Sequence, residues 1–131
     1  MKKNIISGSM SLLEKMKSIA DQLVGMGYTV IIPEEVDWDN IPEEKCAEYK
    51  KELSMEFFKE IAKEDTHAIL VVNDTKEGIA NYIGASAFAE IAVAFYFNKK
   101  VFILNDIYEP YKDELSAWGV ISLNGKLSSI M

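Results

Sequence analysis

Between Gly78 and Asn98 the chain reads GIANYIGASAFAEIAVAFYFN, and Glu90 is the single charged side chain in that stretch. A carboxylate set among alanines and aromatics meets a desolvation cost that a solvated glutamate escapes. It therefore needs a partner, a cleft or a chemical task. Ser86 stands four residues earlier. On a helix that spacing puts hydroxyl and carboxylate on one face, near the helix start, where the dipole favours negative charge. Glu90 is read as the chemical centre of the molecule. The alternative is a buried carboxylate satisfied by Ser, Tyr or backbone donors, as at a subunit contact.

Other polar residues gather where such a site needs them. Ser7-Gly8-Ser9-Met10-Ser11 offers a flexible glycine, hydroxyls and backbone amides ahead of a helix, a place to receive an anion or a sugar hydroxyl. The motif is neither G-x-G-x-x-G nor G-x-x-x-x-G-K-[ST], which disfavours a dinucleotide or P-loop triphosphate site, and a tight turn with a serine cap remains an equal reading. Asn73 and Asp74 close an apolar run, while Tyr82, Gly84 and Ser86 lead into the helix of Glu90. Asp74 either serves the site or caps a strand end, and Asn105 and Asp106 fit turn chemistry better than a site. Trp38, in the acidic segment 34–42, either stacks on a flat heterocycle or pins its loop to the domain. His67 has no Cys or His neighbours at ligand spacing, and Cys46 falls on the apolar stripe of a helix, so no metal and no cofactor is expected.

The elements that must position these residues follow from periodicity. Residues 3–7 (KNIIS), 28–32 (YTVII), 68–73 (AILVVN), 100–104 (KVFIL) and 120–123 read as strands. Helical spacing joins them: Leu12 to Leu23, residues 43–64, the stretch around Glu90, and a short helix from Pro110 toward Trp118. The unbroken apolar run at 68–73 is the kind buried on both faces of a parallel sheet, so it is expected at the centre. Alternation of this kind predicts an α/β three-layer sandwich, with a five-stranded parallel flavodoxin-like sheet in the order 2-1-3-4-5. Ligands bind such sheets beyond the carboxyl ends at the switch point, which sets residues 7–11 opposite residues 73–86.

Bulk properties narrow the partners. The 131 residues make one domain (1–131), 49% hydrophobic and 27% charged. A net charge of −7 argues against a nucleic-acid polymer and leaves a small ligand. The lone Cys46 allows no intramolecular disulfide, and the N-terminus carries too short an apolar run for a signal peptide, which suits a cytoplasmic setting. The run 79–97, broken by Asn81 and Glu90, falls short of the ~20 apolar residues of a membrane span. Phe88, Phe95, Tyr96 and Phe97 fall on different sides of one helix, which predicts a homo-oligomer of at least two chains.

Taken together, KNIISGSMS before an amphipathic helix, VVND after the third strand and YIGASAFAEIAVAFYFNKKVFIL resemble the nucleoside 2-deoxyribosyltransferase superfamily, which includes the 2'-deoxynucleoside 5'-phosphate N-hydrolases. The resemblance covers most of the chain. It implies that Glu90 is the nucleophile on the anomeric carbon, and that Gly8, Ser9 and Ser11 contact the sugar or its 5'-phosphate. It further implies that Asp74 helps to hold sugar or base, and that sites are completed across subunits. Transferases of the family usually carry an aspartate six residues before the nucleophile; Gly84 stands there, which leaves the acceptor open. The implied activity is cleavage or transfer of the N-glycosidic bond of a 2'-deoxynucleoside or its 5'-monophosphate through a covalent glycosyl-enzyme, chemistry that parallels retaining glycosidases. The rival is a non-catalytic nucleotide-binding or sensing module on the same fold. The expected site comprises Glu90 and Asp74 as catalytic groups, with Ser7, Gly8, Ser9, Ser11, Asn73, Tyr82, Gly84, Ser86 and Trp38 against the substrate.

Overall fold

A computed structural model describes residues 2–131 as one parallel sheet of five strands in the order β2-β1-β3-β4-β5. The strands are β1 (Lys3–Gly8), β2 (Thr29–Ile31), β3 (Thr66–Val72), β4 (Lys100–Ile103) and β5 (Ile121–Ser122). Parallel neighbours cannot be joined by a tight turn, and helices make the crossovers: α1 (Leu13–Gly25), α2 (Glu43–Ala62), α3 (Ala85–Tyr96) and α4 (Lys112–Ala117). The expected fold and strand order are those found. The central strand β3 begins two residues earlier than expected, at Thr66, and stops at Val72, before Asn73; at the sheet's edges β2 lacks Tyr28 and Ile32 and β5 keeps only two residues, because edge strands have one neighbour to hold them.

Helices cover both faces of the sheet. Ile6, Leu70, Val72 and Phe102 point to one side and pack on Leu13, Met16, Ile19 and Leu23 of α1. Ile5, Ile69, Val71 and Ile103 point to the other and pack on Ile61 of α2, Ala87, Ile91 and Ala94 of α3, and Leu115 of α4. This explains the missing alternation in β3, where Ala68, Ile69, Leu70 and Val71 are all fully buried.

Two buried details depart from simple patterning. Asn4 of β1 is fully buried, and among the described residues neither polar atom of its side chain has a hydrogen-bond partner. Cys46, expected in the core, is only half-buried in the first turn of α2, its thiol donating to the Pro42 carbonyl at 3.5 Å. The reason is that only the C-terminal part of α2, through Phe57 and Ile61, reaches the sheet, while its N-terminal half lies against the segment that contains Trp38. Among the described residues, no helix is long and apolar enough to cross a membrane.

Candidate active site

β1 and β3 are neighbours, yet the chain leaves them toward helices on opposite faces of the sheet, which opens a crevice beyond their carboxyl ends. A cavity of about 910 Å³ occupies it. Gly8 pairs with Val72 at the cavity's edge, where a Cβ would lie 3.1 Å from the Val72 carbonyl oxygen and 3.4 Å from Met16 Sδ. Glycine is thus required for the close approach of the two strands.

Glu90 reaches this cavity from the second turn of α3, a helix that starts after Gly84 and turns Ala87, Ile91 and Ala94 onto the sheet. Ser7, fully buried on β1, donates its hydroxyl to Glu90 Oε1. Burial pushes the Glu90 carboxyl up to about 7, opposed by the Ser7 hydrogen bond and by the positive charge of Lys50. Lys50 comes from α2, lines the same cavity and donates to Ser86 Oγ at 3.4 Å. A carboxylate that exchanges its proton near neutrality, with one oxygen held from beneath, is suited to nucleophilic or acid–base work.

Of the residues expected at the site, Gly8, Ser9, Trp38, Tyr82, Gly84, Ser86 and Glu90 line the cavity. Trp38 is 38% exposed and sets its ring edge-on to Tyr49 at 5.7 Å, so the contact that braces its loop also leaves it in the cavity wall. Gly84 sits close under the Tyr82 ring, which a Cβ would approach to 3.4 Å. Ser7 stands outside the lining and touches the site only through Glu90.

Asp74, Asn73 and Ser11 are placed elsewhere. Asp74 was expected to wall the cleft; instead its Oδ1 accepts from Asn105 Nδ2 at 2.8 Å and its Oδ2 accepts from the Lys15 ammonium. Asn73 is fully buried, donates to the Asp106 carbonyl at 2.7 Å and accepts from the Asn105 backbone amide at 2.8 Å. Together these residues clasp the ends of β3 and β4, which satisfies backbone groups left open where strands stop. Ser11 is exposed and lies 3.0 Å from Ser9, oxygen to oxygen.

The sequence reading missed Lys50 and Lys76, both in the cavity lining. Each lies in a polar stretch where a lysine reads as solvated surface, and only the tertiary fold brings the exposed Lys50 and the half-buried Lys76 to one cavity. The lining also includes the apolar Ile31, Leu53 and Phe57 and the carboxylates Glu34, Glu35, Glu56 and Glu60, the last of them paired with Lys3 and Lys63.

Comparison of the sequence with protein-family models and with curated proteins gives no match. Among solved structures, the chain is similar to the Clostridium botulinum CMP N-glycosidase BcmB, with a TM-score of 0.56 over 93% of this chain and 87% of that one. At 13% identity the likeness is one of fold.

Proposed function

We propose that the protein cleaves the N-glycosidic bond of a nucleoside or nucleotide, with Glu90 as the nucleophile. The observation that carries this reading is a half-buried carboxylate, held by the buried Ser7 hydroxyl, in the wall of a cavity at the switch point of the sheet. Support comes from BcmB, a nucleotide N-glycosidase of similar fold, and from the resemblance of the sequence to the deoxyribosyltransferase superfamily. The finer reading is a 2'-deoxy sugar, carried as the 5'-monophosphate.

The chemistry runs in two steps. The bond from C1' to the base nitrogen breaks, its electron pair leaving with the base, while a Glu90 oxygen bonds to C1' on the opposite face. Water, or a second base, then attacks C1', the bond to Glu90 breaks, and the anomeric configuration is retained. Ser7 occupies Oε1, which leaves Oε2 to attack. Glu90 must be ionised to attack, so activity should rise as the pH passes upward through about 7, and the Lys50 charge helps to hold the ionised form. The Trp38 ring and the wall of Ile31, Leu53 and Phe57 offer a flat apolar surface to a base. Asp74, tied to Lys15 and Asn105, acts at a remove by fixing the loop that follows β3. The exposed Phe95, Tyr96 and Phe97 at the end of α3 are assigned to contact with a second copy of the chain, which light scattering tests.

Chromatography of free base after incubation with ribo- and 2'-deoxyribonucleosides and their 5'-monophosphates tests the activity. Release by the wild type and not by Glu90→Gln is expected. If no base is released from any of them, the reading gives way to a binding module.

A further inference from the structure

Cleavage of an N-glycosidic bond needs one group to meet the sugar and another to take charge of the departing base. Glu90 is assigned the first role, and the second is open. The electron pair that leaves with the base puts negative charge on it, and a positioned proton donor relieves that charge in the transition state. Asp74, marked by the sequence as the second catalytic group, is bound to Lys15 and Asn105 and stands outside the cavity lining. The donor is therefore to be sought among the residues of the lining itself.

Glu34, Glu35 and Glu56 are carboxylates, which accept and do not donate. Lys76 stands at the Glu77-Gly78 turn after β3, where its ammonium donates to Ser9 Oγ at 2.9 Å and lies 5.5 Å from the centre of the Tyr82 ring. Both contacts hold it to the loops ahead of α1 and α3. Lys50 is placed differently. Lys50, Leu53 and Phe57 are spaced three and four residues apart on α2, so they share one face of the helix, and all three line the cavity. Leu53 and Phe57 belong to the apolar surface assigned to the base, and Lys50 continues that surface with an ammonium. Its other contact is with α3: it donates to Ser86 Oγ at 3.4 Å, one turn before Glu90, and its charge acts on the Glu90 carboxyl. A group that borders the base's surface and reaches the helix of the nucleophile is close to the bond that breaks. The ammonium is exposed and no ion pair among the described residues ties it down, so it is free to move from Ser86 to a ligand.

We propose that Lys50 is the proton donor to the departing base, a catalytic role separate from its influence on Glu90. The proposal rests on the glycosidic reading of the site. In the first step the bond from C1' to the base nitrogen breaks, its electron pair goes to the base, and the Lys50 ammonium passes a proton to the base. Lys50 is left as a neutral amine. In the second step that amine takes a proton from the water that attacks C1', the bond from C1' to Glu90 breaks, and its electron pair returns to Glu90. Ammonium and carboxylate are both restored. One group serves as acid and then as base, as microscopic reversibility allows in a retaining reaction. Ser86 accepts the ammonium between turnovers and keeps it beside α3.

The test varies how much help the base needs to leave. The probes are the 2'-deoxynucleoside 5'-monophosphates of guanine and 7-methylguanine, and of uracil and 5-fluorouracil. A 7-methylguanine departs as a neutral base without gaining a proton, and 5-fluorouracil carries negative charge more readily than uracil. Base release is measured as kcat/KM on the alkaline plateau, where Glu90 is ionised, in the wild type, Lys50→Met and Lys50→Arg. Lys50→Met should slow release of the plain bases about 10²- to 10⁴-fold and that of 7-methylguanine by less than about tenfold, with 5-fluorouracil between. A guanidinium keeps the charge but does not give up its proton, so Lys50→Arg should hold the rising limb of the pH profile in place and still lose the plain bases. Equal losses on plain and activated bases in Lys50→Met, or plain-base release near the wild-type rate in Lys50→Arg, overturn the proposal. Either result, with release still abolished by Glu90→Gln, removes Lys50 alone and leaves the glycosidic reading standing. No release from any of the four by the wild type removes both.

Discussion

Replacing Glu90 by glutamine should make the protein more stable at alkaline pH than at acidic pH, relative to the wild type. The folded state holds the Glu90 carboxyl at about 7, against an ordinary value of 4.5, because burial disfavours the charge. Between these two values the unfolded chain binds fewer protons than the folded one. The stability linked to this group is therefore fully present below 4.5 and lost as the pH rises through about 7. At ~1.4 kcal/mol per pH unit, the span from 4.5 to about 7 amounts to about 3 kcal/mol. Glutamine keeps the volume and can still accept the Ser7 hydroxyl, but it does not titrate. Urea unfolding of both proteins at pH 5 and pH 8 measures the effect, since every other titrating group cancels in the difference. The advantage of Glu90→Gln should grow by about 2 kcal/mol or more between the two. Parallel pH profiles would refute the burial argument, and with it the idea that the fold stores a poised carboxylate.

Three further substitutions probe the frame of the site. Ser7→Ala removes the hydrogen bond that holds Glu90 down, so the rising limb of the kcat profile should move to higher pH with KM little changed; an unmoved profile would show that Ser7 does not govern the carboxylate. Gly8→Ala forces a Cβ to 3.1 Å from the Val72 carbonyl and should cost about 1–3 kcal/mol in chemical denaturation, whereas a loss below about 0.5 kcal/mol would mean that β1 and β3 separate easily. Asn4→Val should leave stability unchanged or raise it by about 1 kcal/mol, because it removes a buried amide that has no partner among the described residues and suits a strand; a loss of more than about 1 kcal/mol would contradict that account.

How much of this was legible in the sequence depends on how local each cause is. The run at residues 68–73 has no polar alternation because both faces of β3 are covered, and that alone sets the sheet's centre and, with the intervening helices, its order. Glu90 stood out because a charge amid alanines has no surface explanation. The role of Asp74 was harder to see, since an acidic residue at a strand end serves a cleft or a clasp equally well, and only the approach of Lys15 from α1 and Asn105 from the end of β4 decides its contacts. Cys46 lay on a regular stripe, but the stripe of α2 extends beyond the sheet it packs on. Lys50 and Lys76 left no local mark beyond the Glu77-Gly78 turn, because only the tertiary fold brings them to the cavity.

The central claim is a covalent bond between Glu90 and the anomeric carbon, and mass spectrometry of trapped protein tests it most directly. A 2-fluoro-deoxyribosyl substrate forms the glycosyl-enzyme but slows its breakdown, because the fluorine destabilises the oxocarbenium-like state of both steps. Incubated with its 5'-monophosphate and digested, the wild type should carry one added sugar phosphate on the peptide that contains Glu90, and Glu90→Gln should carry none. Release of base without an adduct, or an adduct on another residue, would contradict the account.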